Sequence, residues 1–88
     1  MKLNPNFVLR QVAGTWVALP VGQTSVSFNG MLSLNDSGAL LWKALEQGGD
    51  RKTLADVLTA EYEVDHFTAL TDVDEFLASM AKAGCLEE

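Results

Sequence analysis

The order of hydrophobic patterns along this chain predicts an α+β fold in which strands come first and three helices follow. Two observations carry that prediction. Up to Leu34 the apolar residues alternate or gather in β-branched and aromatic runs, and from Ser37 onward they recur at helical spacing. The breaks between runs are short and hold turn or capping residues, which keeps consecutive elements adjacent in space.

Phe7-Val8-Leu9-Arg10-Gln11-Val12 and Thr15-Trp16-Val17-Ala18-Leu19 read as the two arms of a hairpin. Ala13-Gly14 between them is a two-residue connection, with the glycine available for positive φ. Pro20 has no backbone donor and closes the second arm, and Val21-Gly22-Gln23-Thr24-Ser25 has loop composition. Val26-Ser27-Phe28 and Met31-Leu32-Ser33-Leu34 alternate again around Asn29-Gly30. That segment is either a second tight hairpin or one long strand with a bulge. Trp16 lies in an apolar pattern where a core role suffices, but in the alternation it falls opposite Val17 and Leu19, and inward-facing Val17 and Leu19 would leave its ring to surface contact.

At Asn35-Asp36-Ser37 the period changes, and any of these three side chains is suited to cap a helix carrying Leu41, Trp42 and Leu45 on one side. Gly48-Gly49 ends it. Thr53-Leu54-Ala55-Asp56 resembles a capping box with the shorter carboxylate, opening a second helix with Leu54, Val57, Leu58 and Tyr62 on one face. Asp65 caps a third helix whose stripe is Leu70, Val73, Leu77 and Met80, with Phe76 beside it and Asp72, Asp74 and Glu75 toward water. Gly84 stops it, letting Cys85 and Leu86 fold back on the last turn. Strands followed by three helices, the longest last and lying across the sheet, make a small domain of winged-helix type over residues 1–88.

Composition narrows the function. Eighty-eight residues support one modest core, too small for a large buried active site. Twelve acidic residues against six basic ones give a net charge of −6, which opposes the phosphate backbone that dominates nucleic-acid affinity. No apolar run reaches membrane-spanning length, and Met1-Lys2-Leu3-Asn4-Pro5-Asn6 lacks the apolar core of a secretory signal, so the expected location is cytoplasmic. Cys85 is the sole cysteine and reads as a small apolar residue. His66 is the sole histidine, placed at a helix start without a partner nucleophile. Asp72, Asp74 and Glu75 point in different directions around a helix, so they do not form a metal site, and Gly48-Gly49-Asp50-Arg51-Lys52 lacks the P-loop spacing. The expectation is a protein that is not an enzyme and carries no cofactor and no metal.

Phe7-Val8-Leu9-Arg10, Gly14, Asn29-Gly30-Met31, Leu34-Asn35 with Gly38-Ala39 and Trp42, Glu61 to Asp65, Asp72-Val73, Phe76-Leu77 and Ala83-Gly84-Cys85-Leu86 follow one another in an order that resembles the PqqD family. The resemblance covers nearly the whole chain. It implies a three-stranded sheet with three helices, and a peptide-recognition element for ribosomally made, post-translationally modified peptides. In such proteins a precursor's leader adds as an extra strand and is presented to a modifying enzyme, a radical S-adenosylmethionine enzyme in pyrroloquinoline quinone biosynthesis. Carried onto this chain, the peptide-binding strand is Gly30, Met31, Leu32, Ser33 and Leu34, and the helical wall is Val73, Phe76, Leu77 and Met80. By pattern alone Leu34, Leu70 and Leu77 are core positions, whereas Phe76 and the adaptable Met80 suit a groove. The alternatives from other classes are a winged-helix nucleic-acid-binding module and a structural dimerisation domain that pairs its own free edges as a weak homodimer.

Overall fold

The alternating runs at the start of the chain pair as expected. The computed structural model describes residues 2–21 and 32–87. Strands β2 (Phe7–Val12), β3 (Thr15–Pro20) and β4 (Leu32–Leu34) form an antiparallel sheet in the order β2-β3-β4. A second ladder joins β1 (Lys2–Leu3) to β5 (Leu86–Glu87), clasping the two ends of the described chain. The expected strand over Val26 to Phe28, and the choice between hairpin and bulge at Asn29-Gly30, lie outside the described residues.

The β2–β3 connection is the predicted two-residue turn, closed by the Val12↔Thr15 pair. Both loop residues have positive φ, +52° at Ala13 and +80° at Gly14, the requirement of a turn whose twist matches the flanking strands. Gly14 adopts this freely, but Ala13 carries a Cβ into a region that disfavours it. The β2–β3 register places Phe7 opposite Pro20, Leu9 opposite Ala18 and Gln11 opposite Trp16. On the other side of β3, Ala18 lies opposite Leu32 and Trp16 opposite Leu34. Directly opposed residues share a face, so Phe7, Leu9, Trp16, Ala18, Leu32 and Leu34 all point toward the helices. This decides between the two readings of Trp16. Its ring is half-buried on the helical side beneath the Lys43 ammonium, 4.3 Å from the ring centre, and Val17 is buried on the opposite face.

Helices α1 (Asp36–Glu46), α2 (Arg51–Glu61) and α3 (His66–Lys82) follow. Of the three candidate caps for α1, Asn35 is the one used, accepting from the Gly38 N–H at 2.8 Å. For α2 the cap is Asp50 and not Thr53. Asp50 Oδ1 accepts from both the backbone N–H and the hydroxyl of Thr53, each at 2.8 Å, so the helix begins a turn earlier than the Thr53 signal implied. Asp65 caps α3 through the Thr68 N–H at 2.6 Å. Two helices end in the same way: Gly48 and Gly84 have φ near +87° and +80°. In α3, the Cys85 N–H donates to the Met80 carbonyl and the Gly84 N–H to the Ala81 carbonyl, the paired closure that a left-handed glycine permits.

The core has two parts. Leu41 and Leu45 of α1, Leu54, Ala55 and Leu58 of α2, and Ala69 and Val73 of α3 pack together between the helices. Phe7 and Ala18 of the sheet, Trp42 of α1, Met80 of α3 and Cys85 pack where the helices meet the sheet. Leu3, Phe76 and Leu86 touch both clusters, so the terminal ladder and the middle of α3 join them.

Two predictions follow from the backbone and the caps. Ala13→Asn, which tolerates left-handed geometry, should raise stability by about 0.5–1 kcal/mol in denaturant titration. The caps give a pH dependence. Hydrogen bonds from Thr53 and Thr68 hold the Asp50 and Asp65 carboxyls below the ordinary 3.8, and the Arg51 guanidinium does the same for Asp74. A carboxyl lowered in the folded state contributes stability that is complete above its unfolded pKa and is lost as pH falls through the folded value. The unfolding midpoint should therefore hold steady down to about pH 5 and drop below about pH 4. Asn at positions 50 and 65 preserves a capping oxygen without the titration and should flatten that drop.

Candidate functional site

An edge strand offers unpaired N–H and C=O groups, and β4 is at the edge of the described sheet, with β3 on one side only. Facing that edge is α3. Between them runs a groove of about 370 Å³, lined along the strand by Leu32, Ser33 and Leu34 and along the helix by Asp72, Glu75, Phe76 and Ser79. Leu41, Leu58 and Gly38 also line it, and Asn35 and Ser37 stand at the α1 start. Gly38 lets this helix start approach the strand closely. A Cβ there would meet Asn35 Oδ1 at 3.2 Å and Leu34 Cβ at 3.4 Å, pressing on the cap and the strand together.

A second hollow of about 420 Å³, lined by Asn35, Asp36, Ser37, Leu58, Tyr62, Val64 and Asp72, continues the groove past the α1 start. The two share Asn35, Ser37, Leu58 and Asp72. The combined trough thus runs from the sheet edge to the end of α2.

The expected peptide-binding residues are distributed unevenly over this site. Leu32, Ser33 and Leu34 line it, as does Phe76, whose half-buried ring also touches both cores. Leu77 is half-buried and packs on the inter-helical core. Val73 and Met80 are fully buried, Val73 among the helices and Met80 against Phe7, Ala18 and Trp42, so neither presents a side chain to the groove. Met80 is therefore corrected from groove contact to core: its flexible side chain fills space under the sheet, where no solvent reaches it. Gly30 and Met31 lie outside the described residues.

The polar side of the helical wall was not recognised in the sequence as part of a site. Asp72, Glu75, Phe76 and Ser79 stand at i, i+3, i+4 and i+7, a second helical face beside the core stripe, and that spacing was the available signal. The three acidic residues separate in space. Asp74 is held by Arg51 of α2 through two bonds, 2.7 Å to Oδ1 and 2.9 Å to Oδ2, while Asp72 and Glu75 line the groove.

Reactive groups are sparse. Among the described residues no cluster of His, Cys, Asp and Glu is suited to hold a metal ion, and no helix is long and apolar enough to cross a membrane. Cys85 is buried, and desolvation pushes its thiol above the ordinary 9.0.

A trough beside the edge strand of the described sheet, walled by one helix, is a geometry for holding an extended peptide. The family model described as coenzyme PQQ synthesis protein D (PqqD) matches residues 15–86. The chain belongs to the PqqD family. Two solved structures resemble it over nearly its full length. One is TbiB1 in complex with the TbiA(beta) leader peptide, at 28% identity and a TM-score of 0.81, with 99% of this chain and 95% of that one covered. The other is lasso peptide synthetase B1 complexed with the leader peptide, at 28% identity and a TM-score of 0.81, with 99% and 96% covered. A search of curated proteins yields no significant match.

The buried state of this PqqD-family protein's thiol is directly measurable. Cys85 should react with a chromogenic disulfide such as DTNB only on unfolding, so that native protein labels at the rate of global or local opening and denatured protein labels at once.

Proposed function

We propose that this protein is a non-catalytic adaptor of the cytoplasm that captures the leader of a ribosomally made precursor peptide and presents it to a modifying enzyme. A radical S-adenosylmethionine enzyme is the partner class that the family resemblance implies. The observation that carries the reading is the position of β4 at the edge of the described sheet, facing a trough walled by α3. The leader peptides bound in the two solved relatives support it.

In this reading the leader adds as a strand beside Leu32, Ser33 and Leu34, with its main chain bonded to the edge and an apolar side chain seated against Phe76. Each main-chain hydrogen bond contributes about 0.5–1.5 kcal/mol net, and one large apolar anchor about 1.5–3 kcal/mol. Lost freedom of association and ordering of the leader oppose these by at least about 4 kcal/mol. A strand this short therefore binds with moderate affinity and releases, as a carrier must. A nucleic-acid module is disfavoured, because the groove-side face of α3 carries Asp72 and Glu75 and no basic residue lines the trough among the described residues.

The test uses peptides selected from a displayed library of random 15-residue sequences on the full chain. Consecutive residues of a strand direct their N–H groups to opposite edges, so one of Leu32→Pro and Ser33→Pro removes a donor from the open edge and the other removes one from the β3 ladder. The variant that keeps the wild-type unfolding transition should lose about tenfold or more in affinity by calorimetry. The selected peptides should also weaken when alternate backbone amides are N-methylated, a change that leaves the protein untouched. Peptides that tolerate both changes would remove strand addition from the account.

A further inference from the structure

The trough does not stop where the strand edge does, and its far chamber has a different chemistry. Beyond Leu34 it opens past Asn35 into the hollow bordered by Leu58 and Val64, by Tyr62, and by the carboxylates of Asp36 and Asp72. We propose that this chamber takes a lysine or arginine side chain of the bound peptide, just outside the segment that pairs with β4. The proposal rests on the peptide-binding reading above and adds the class of residue that the peptide must supply.

Three features favour a cation with a long aliphatic stem. Leu58 and Val64 are apolar surfaces for the methylene groups, which long basic side chains bury while keeping their charged ends in a polar setting. Tyr62, 39% exposed, offers an aromatic ring to the same side chain. Asp36 of α1 and Asp72 of α3 both line the chamber, and no described basic residue pairs with either. The contrast with their neighbours is informative: Asp74 is occupied by Arg51, and Asp56 by Lys52 at 3.4 Å. Asp36 and Asp72 thus have no cation from the described residues, and Glu75 continues the negative wall toward the sheet edge.

An acidic peptide residue is the opposite case. The α1 start attracts an anion in principle, but Asn35 already accepts from Gly38 and Asp36 supplies negative charge in the first turn. A peptide carboxylate placed there meets like charge on both walls.

The experiment is a double-mutant cycle on the selected peptides. Library binders should share a Lys or Arg at a fixed spacing from the segment whose N-methylation weakens binding. Asp36→Asn with Asp72→Asn should lower affinity for such a peptide about tenfold. It should change little for the same peptide with that residue replaced by Gln. Glu46→Gln, elsewhere on α1, removes one unit of charge, as Asp36→Asn or Asp72→Asn does singly, and unlike either of those should leave affinity near wild type. If strand-dependent binders appear without a basic residue, or if Glu46→Gln weakens binding as much as either aspartate change, the chamber is not a cation site although the adaptor reading stands. If no peptide binds, both fail.

Discussion

Burial of Trp42 is the constraint on which the rest of this structure depends. Its side chain, 1% exposed, sits where Phe7 and Ala18 of the sheet, Met80 of α3 and Cys85 converge, so one residue ties three layers of chain to one another. Burying an aromatic of this size contributes more than any other single side chain in the cluster. The surface pairs do not compete with it. Arg51–Asp74 is about half exposed at both ends, and solvent screens most of its attraction. With Trp42 in place, α1 lies against the sheet and the C-terminal half of α3 is held at a set distance from β4. That distance is the width of the trough.

The junction between β4 and α1 turns this packing into a site. Asn35 ends the strand and caps the helix within one residue, and Gly38 allows the helix start to press against Leu34. A longer connection would let the helix start drift over the edge and cover it. Proteins ordinarily blunt exposed strand edges because they invite pairing with other chains. Here the described edge is only three residues long, which limits that hazard while leaving enough main chain to bind one extended segment. Acidic groups along the trough add a further restraint on self-association, since two copies of a chain with net charge −6 repel.

Most local features were legible because they depend on neighbours in sequence. The Ala13-Gly14 turn, a cap within Asn35-Asp36-Ser37, the Asp65 cap and the Gly48 and Gly84 stops each follow from residue chemistry within a few positions. Thr53 misled because a threonine followed by a carboxylate three residues on resembles a cap, and Asp50 was already satisfying the same N–H from outside the helix. The face taken by Trp16 is open in the sequence for another reason. The alternation of β3 separates it from Val17 and Leu19 but does not say which face meets the helices, and the apolar residues on the two faces are too evenly matched to decide. The β1–β5 ladder left no sequence signal, since two-residue strands have no period and their partners lie at opposite ends of the described chain.

By itself the sequence determined the order of the hairpin and the three helices, the Asp65 cap, the glycine stops, the acidic character and the family, all of which reside in local pattern or in the identity of residues along the line. Only the tertiary structure decided which apolar residues are core and which are wall. Val73, Phe76, Leu77 and Met80 are similar in hydrophobicity and sit on one broad helical face, yet Phe76 reaches the trough and Val73 and Met80 are sealed. Rotating α3 by a fraction of a turn would exchange those roles. What fixes the rotation is the fit of Met80 beneath the sheet beside Trp42 and of Val73 among Leu41, Leu54 and Leu58, a packing among residues distant in sequence.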